Sequence, residues 1–274
     1  MFAKLRNEVR RPVVAGVFYP SGAQELESTV ETMLSQTTER KPCRLCGVVV
    51  PHAGYPYSGQ IAGKAFSLLA HANDAPNRIL LIGPPHYMPV RGIVAPSSRA
   101  FTTPLGDVPV DVGAVKSLRD AGLVTIDDTP HMPEHSLEVE LPFLQRLLED
   151  FTIVPLLVDD ASPGQVALVI ERVLGKRTLL VVSTDLSHYL DYATAERRDL
   201  ATARTIERLD YTTLGPNDAC GFSALNGALC AASRRNWTVT RLDLRNSGDT
   251  SDEKRRVVGY GAWAFTAVER QEHC

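Results

Sequence analysis

This sequence has no long hydrophobic run and no excess of basic residues. Because no stretch of about 18 apolar residues occurs, we expect neither a transmembrane helix nor a membrane partner. The net charge of −3 argues against nucleic-acid binding, which needs a basic face. The polar amino end, residues 1–11, lacks an apolar centre and therefore predicts no secretory signal.

Cysteine is also scarce, with five residues in 274. An odd, small number is not typical of a disulfide framework and predicts a reducing, cytoplasmic location. Cys43 and Cys46 form a lone C-x-x-C motif. A structural zinc site would need a second pair of ligands, and a redox motif would stand at the start of a helix, whereas this one runs into an apolar strand. We expect no metal or redox role for this pair.

What the sequence does have is apolar, β-branched runs that alternate with helical patterns, within a composition that is 44% hydrophobic. The predicted strands cover residues 47–50, 78–83, 93–95, 106–110, 152–158, 178–183, 238–242 and 257–268. The predicted helices cover residues 60–72, 112–121, 134–150, 162–174, 193–209 and 218–234. Pro142 indicates that the first part of 134–150 is a separate turn or that this helix is kinked. This alternation predicts an α/β fold with a mainly parallel or mixed central sheet and helices on both faces. No linker or repeat divides the chain, so we predict one domain over residues 1–274.

Three of the seven histidines come just after predicted buried strands. These are His52, His86 and His188. Any one of them could be an ordinary, partly buried loop residue. In an open α/β sheet, however, ligands bind beyond the carboxyl ends of the strands, and all three histidines are expected there. Imidazole is a common ligand for iron, copper and zinc, so the three positions together predict a metal site.

A carboxylate would complete the set of two histidines and one carboxylate that is typical of non-haem Fe(II) oxygenases. Asp249 lies between the two last predicted strands, where it could also be a simple turn residue. Glu134, His135 and Glu138 are the other candidates. They stand at a predicted helix start, where acidic residues are favourable in any case.

Several motifs follow one another in order over nearly the whole chain, from about residue 11 to 268. They are Arg11-Pro, Gly16-Val-Phe-Tyr-Pro20, Pro-His52-Ala-Gly-Tyr55, Tyr57-Ser-Gly59, Gly83-Pro-Pro-His86, Thr103-Pro-Leu-Gly-Asp107, Glu134-His-Ser-Leu-Glu138, Ser183-Thr-Asp-Leu-Ser-His188 and Asn246-Ser-Gly-Asp249. Together they resemble the Memo-like family, of the AmmeMemoRadiSam system protein B type. That family is similar in fold to the class III extradiol dioxygenases, the protocatechuate 4,5-dioxygenase-like enzymes, which open catechol rings with Fe(II) and O2.

The resemblance implies that His52 and His86 are metal ligands and that His188 is an acid/base beside the metal. Animal Memo proteins carry a cysteine where the dioxygenases have a glutamate ligand. In this chain we expect the segment that ends in Asp249 at that position, without a cysteine, and an alignment shifted by one residue leaves Thr250. The expected metal ligands are therefore His52, His86 and Asp249.

The function that we expect is a non-haem Fe(II) dioxygenase of extradiol type, with O2 and a catechol- or aminophenol-like aromatic molecule as substrates. His188 would move protons, work that suits a group titrating near neutrality. Asp185 would fix its tautomer. The side chains expected to line the substrate pocket are Tyr55, Tyr87, Glu134, His135 and Tyr189.

Two alternatives belong to other functional classes. The first is a non-catalytic, metal-containing protein that binds a peptide or partner, since the animal relatives are described as phosphopeptide-binding. The second is a zinc hydrolase, because the same ligand types also suit zinc and a bound water. Zinc or copper in place of Fe(II), and assembly into a homo-oligomer, stay open.

Overall fold

A mixed nine-stranded sheet forms the centre of the computed structural model, which describes residues 8–35, 44–71 and 75–267. The strands are β1 (Val9–Arg10), β2 (Leu45–Val50), β3 (Arg78–Gly83), β4 (Gly92–Ala95), β5 (Ala100–Thr103), β6 (Gly106–Pro109), β7 (Thr125–Ile126), β8 (Thr152–Asp159), β9 (Thr178–Ser183), β10 (His188–Leu190), β11 (Trp237–Asn246) and β12 (Val257–Ala267). The helices are α1 (Ala23–Leu34), α2 (Tyr55–Phe66), α3 (Val112–Asp120), α4 (Leu141–Leu147), α5 (Pro163–Val173), α6 (Tyr192–Glu207) and α7 (Phe222–Arg234). Short 3₁₀ helices cover Ser67–His71, Glu138–Glu140 and Ser247–Asp249.

The order of strands in the large sheet is β10-β12-β2-β9-β3-β8-β4-β7, and β11 pairs with β12. Strands β2, β9, β3 and β8 are parallel, whereas β12 and β4 run antiparallel to their neighbours β2 and β8. Strands β1, β5 and β6 form a separate small sheet. The prediction of an α/β fold with a mixed sheet flanked by helices is confirmed. The likeness of this fold to the extradiol dioxygenases stays a prediction.

The central strands are buried along almost their whole length, and all six residues of β9 are buried. Continuous apolar strands of this kind suit a parallel sheet whose two faces are both covered. Helices α1, α2 and α4 pack on one another, and α5 packs on α7. Among the described residues, no helix is both long and apolar enough to cross a membrane. Cys43 lies outside the described residues, so the expectation for the C-x-x-C motif stays a prediction.

Two helix boundaries differ from the predictions at positions that matter for the site. Of the predicted helix over 134–150, only the 3₁₀ turn and α4 form, because buried polar contacts hold residues 134–137 in an irregular conformation. Pro142 then lies in the first turn of α4, where its missing N–H is not needed. Helix α7 begins at Phe222 rather than at residue 218, which leaves residues 218–221 as a loop.

Candidate metal centre

The carboxyl ends of three neighbouring strands form the base of the candidate site. Strand β9 lies between β2 and β3, and all three are parallel. The loop after β2 carries His52, the loop after β3 carries His86, and the segment after β9 carries Asp185. Because these strands point in one direction, their following loops meet at the same edge of the sheet.

His52, His86 and Cys220 bring their ligand atoms within 4.8 Å of one another. The sulfur of Cys220 lies 3.3 Å from Nε2 of His52. His52 is buried, Cys220 is half-buried and His86 is exposed, so the group is open to solvent on one side. Two imidazoles and a thiolate suit iron, copper or zinc, and three protein ligands leave further coordination positions free.

Cys220 is a potential metal ligand that the sequence analysis missed. It lies in the loop before α7, a stretch that was predicted to be helical. The loop is tied to the end of β9, since the backbone N–H of Gly221 donates to the hydroxyl of Thr184 at 2.8 Å. A β-carbon on Gly221 would come within 2.9 Å of the Thr184 side chain, so this approach requires glycine. The pair Cys220-Gly221 just before an apolar helix is the signal that could have indicated a loop here.

Burial, followed by the nearby charge of Asp185, raises the pKa of the Cys220 thiol to about 12. Without a cation, this side chain is therefore a neutral thiol at neutral pH. A metal ion would reverse that balance, because a coordinating thiol loses its proton to the ion's charge. The Cys220 thiol is therefore better suited to bind a metal than to act as a free nucleophile.

Asp249, the predicted third ligand, is not brought to this site. It ends the 3₁₀ turn Ser247–Asp249, where Oδ2 accepts the backbone N–H of Asn246 at 2.9 Å. Its Oδ1 accepts the hydroxyl of Tyr192 at 2.6 Å. One oxygen is thus used within its own turn and the other by the start of α6, and the side chain is exposed. The expectation that Asp249 joins His52 and His86 is corrected: its carboxylate caps a turn.

Thr250, the alternative left by the shifted alignment, is also exposed. Its hydroxyl donates to the carbonyl of Ser247 at 3.3 Å. Neither residue belongs to the groups of potential ligands found in the part of the chain that the structure describes. Cys220, and not either of these residues, is grouped with His52 and His86.

The ring of His52 is fixed on both edges. Its Nδ1 lies 2.7 Å from the hydroxyl of Ser183, and its Nε2 faces Cys220. Burial, and next the proximity of His86, lowers the pKa of His52 well below its ordinary value. The ring is therefore a neutral imidazole, the form that can bind a metal.

His86 is oriented by Glu134. The carboxylate Oε1 lies 2.9 Å from Nδ1 of His86, and Oε2 accepts the backbone N–H of the same residue. A carboxylate can only accept, so Nδ1 carries the proton and Nε2 is left for a metal. Burial, the largest influence, opposes ionisation of Glu134, yet the hydrogen bonds from His86 prevail and lower its pKa to about 2. Glu134 therefore supports a ligand and is not a wall of the predicted substrate pocket.

His135 lies above the His86 ring, with centroids 4.7 Å apart and an angle of 21° between the planes. The ring centroids of Phe18 and Tyr87 lie 4.8 Å and 5.9 Å from that of His135, and both pairs have edge-to-face geometry. His86, Glu134 and His135 form a second group of potential ligands. Oxygen Oε1 of Glu134 already accepts the backbone N–H groups of His135 and Ser136, so this second group is the poorer metal site.

His188 lies close enough to His52 and His86 for electrostatic interaction. Its Nδ1 is 2.8 Å from the carbonyl of Leu186, which can only accept, so the proton is on Nδ1 and the lone pair is on Nε2. Burial lowers the pKa of His188, which makes it a neutral potential base. His188 is not among the grouped ligands of the described residues.

Asp185 does not orient His188, contrary to expectation, because Leu186 has that role. The carboxylate of Asp185 accepts the backbone N–H of His52 at 2.9 Å and lies 4.0 Å from Nε2 of that ring. Burial raises the pKa of Asp185 to about 7. Asp185 therefore holds the loop that carries the first histidine.

The three predicted pocket tyrosines have different surroundings. Tyr55 is in the core, where its hydroxyl donates to the carbonyl of Val139 at 2.8 Å, so it is corrected to a packing residue. Tyr87 and Tyr189 are 57% and 63% exposed and are free to contact a ligand. The ring of Tyr189 lies 5.7 Å from that of His188, and its backbone has a φ of 59°.

Comparison with known proteins agrees with the arrangement of motifs. A family model described as "Memo-like protein" matches residues 10–264. A MEMO1 family protein of Thermotoga neapolitana is 34% identical over 275 residues, which covers 92% of this chain and 98% of that protein. A MEMO1 family protein of Archaeoglobus fulgidus is also 34% identical, with 94% and 99% covered. This chain is similar to both over nearly its full length.

Proposed function

Because this chain belongs to the Memo-like family and gathers His52, His86 and Cys220 at one sheet edge, we propose that it is a metal-dependent oxidoreductase of extradiol type. Its substrates would be O2 and a small catechol- or aminophenol-like molecule. The observation that carries this proposal is the open group of three ligands with a neutral histidine beside it. Fe(II) is the proposed metal, and when bound it would supply Lewis acidity and electrons for O2.

The proton transfers are assigned to His188. With Nδ1–H donated to the Leu186 carbonyl, its Nε2 is available to take the proton of a substrate hydroxyl and later return it. The lowered pKa supports this role, since the ring is uncharged before the substrate binds. His188 is thus the proposed general base and acid.

Aromatic side chains near the ligand group offer contacts for an aromatic ring. Phe18 and Tyr87 surround the edge of His135, and Tyr189 stands beside His188. Flat apolar surfaces of this kind favour aromatic ligands by stacked or edge contacts. These side chains would hold the substrate ring, while His86, which is exposed, lies at the open side of the ligand group.

A zinc hydrolase is the second candidate, and Cys220 is the observation that favours it. Thiolate is a softer donor than carboxylate and occurs with histidine in catalytic zinc sites. In that case the acid/base work would be done on a water, and no oxygen would be consumed.

The test is metal analysis after anaerobic purification, followed by oxygen uptake with a panel of catechols and aminophenols. Iron near one equivalent, with uptake that His188→Ala lowers, is the expected result. Asp249→Asn is the matched control, since asparagine can keep the turn cap, and it should retain both metal and uptake. Zinc without oxygen uptake would favour the hydrolase. Binding of a peptide or partner without metal-dependent turnover would favour the non-catalytic binding protein.

A further inference from the structure

The hydroxyl of Ser183, at the end of β9, lies within hydrogen-bond distance of three polar groups. It is 2.6 Å from the backbone carbonyl of Ser136, 2.7 Å from Nδ1 of His52 and 3.0 Å from Oε1 of Glu140. All four residues are buried. A hydroxyl has one proton to donate and two lone pairs that accept, so only one of its three neighbours can receive the Ser183 proton.

The backbone carbonyl of Ser136 decides where that proton goes. A carbonyl can only accept, and at 2.6 Å it would face a lone pair if the Ser183 proton pointed elsewhere. The other two contacts are hydrogen bonds only if Nδ1 of His52 and Oε1 of Glu140 each bring a proton. The arrangement therefore requires the Nδ1–H tautomer of His52 and the neutral acid form of Glu140.

The surroundings of Glu140 suit a neutral acid. The residue is 1% exposed, and within the described ranges no Arg, Lys or His side chain forms an ion pair with it. Burial raises the pKa of Glu140 well above its ordinary value. An unpaired buried carboxyl group takes up a proton because the charged form loses its hydration.

Glu138, two residues earlier in the same 3₁₀ turn, provides the contrast. It is equally buried, but it is paired with Arg10 and accepts the hydroxyl of Tyr19 at 2.6 Å and the backbone N–H of Val14 at 3.1 Å. A cation and several donors are the partners that a carboxylate needs. The short turn thus places an ionic carboxylate and a carboxyl group without a cation side by side.

We propose that Glu140 is a positioning residue of the metal centre, which as a neutral acid donates its proton to Ser183. Ser183 must then accept the Nδ1–H of His52, and Nε2 of His52 keeps the lone pair that faces Cys220 and the metal. The ligand tautomer is set before any metal arrives. This inference rests on the proposed metal site, but not on its oxygen chemistry.

The first test uses the whole protein without metal. Nitrogen NMR of the histidine rings should show His52 as the Nδ1–H tautomer. The infrared difference between wild type and Glu140→Gln should show the carbonyl stretch of a protonated carboxylic acid at neutral pH. The difference spectrum is needed because Asp185 and Asp199 are further buried acids without an Arg or Lys partner among the described residues. A carboxylate stretch, or an Nε2–H tautomer of His52, would overturn the proposal.

The second test is titration with Co(II), a spectroscopic probe for thiolate and imidazole ligands. Glu140→Gln keeps a donor of similar shape and should bind Co(II) like the wild type. Glu140→Leu removes the donor and should lower the affinity roughly tenfold, the lower end of what outer partners of metal ligands contribute. Equal affinity in the leucine variant, or a tenfold loss in the glutamine variant, would contradict the role.

Glu138→Gln is the matched control for general damage to the turn. It should lower the melting temperature strongly, since it leaves Arg10 without its carboxylate, whereas Glu140→Gln should not. If Glu140→Leu does not fold, the NMR and infrared results on wild type and Glu140→Gln still decide the matter. Absence of oxygen uptake would count against the proposed function alone.

Discussion

The sheet edge after β2, β9 and β3 and the turn between β11 and β12 both carry residues that the sequence suggests as metal ligands, yet they differ in one physical respect. At the sheet edge, one nitrogen of His52 and one of His86 bind a protein partner, and the other is left for the shared centre. In the turn, both oxygens of Asp249 already accept hydrogen bonds, one from Asn246 in the same turn and one from Tyr192 of α6. A ligand needs a fixed side chain with one free donor atom that faces the centre.

The same comparison explains why the centre forms where it does. Strands β2, β9 and β3 are adjacent and parallel, so three loops arrive at one edge. The turn between β11 and β12 connects two antiparallel strands, and its residues Asn246 and Asp249 satisfy one another in a capping box. Polar richness in a turn therefore indicates local hydrogen bonding unless neighbouring loops converge on it.

The largest expected effect comes from removing Cys220. Cys220→Ala should abolish stoichiometric Fe(II) binding, because only two protein ligands would remain, while Asp249→Ala should bind iron like the wild type. Anaerobic titration followed by metal analysis measures both. Loss of the metal in Asp249→Ala, together with full metal binding in Cys220→Ala, would contradict the comparison of the two regions.

His188→Ala tests the division between holding metal and moving protons. The variant should keep its metal, since His188 is not among the grouped ligands, and lose roughly 10²- to 10⁴-fold in turnover. Metal content and the rate of oxygen uptake are measured on the same sample. If the metal is lost together with the activity, His188 is a ligand and the assigned set is incomplete.

Glu134→Gln tests whether the carboxylate of Glu134 orients the ring of His86. The amide lacks the charge that holds Nδ1–H of His86, so metal affinity should fall roughly 10- to 100-fold without loss of the fold. Competition with a chelator gives the affinity, and circular dichroism checks the structure. An unchanged affinity would mean that the contact between Glu134 and His86 does not orient the ligand.

The smallest effect is expected at the turn itself. Asp249→Ala removes a cap and should lower the free energy of unfolding by about 0.5–2 kcal/mol. Urea denaturation measures this change, and Asp249→Asn, which can still accept the Asn246 N–H, should recover most of the loss. A variant as stable as the wild type would show that the turn is held by other contacts.

Much of the fold could be predicted because its signals are local. The apolar runs of β3 and β9 were predicted with the observed bounds, and Ser162 followed by Pro163 correctly indicated the start of α5. Buried parallel strands need continuous apolar sequence, and helix starts need caps, so both can be recognised within a few residues. Pro142 indicated a turn or a kink at the start of α4, and the structure has the turn. The conformation of residues 134–137 could not be predicted, since it depends on buried contacts with distant segments.

The sequence by itself determined that His52 and His86 each follow a buried strand of an α/β sheet, so both were expected at the same edge of that sheet. Only the tertiary structure decided the third ligand, because Cys220 lies 168 residues from His52 and meets it through the packing of its loop on β9. The same holds for Asp249, whose carboxylate could cap its turn or bind a metal as far as its local sequence shows. Such a choice depends on which partners the fold brings within about 3 Å, and a hydrogen bond at that distance leaves no trace in residue spacing.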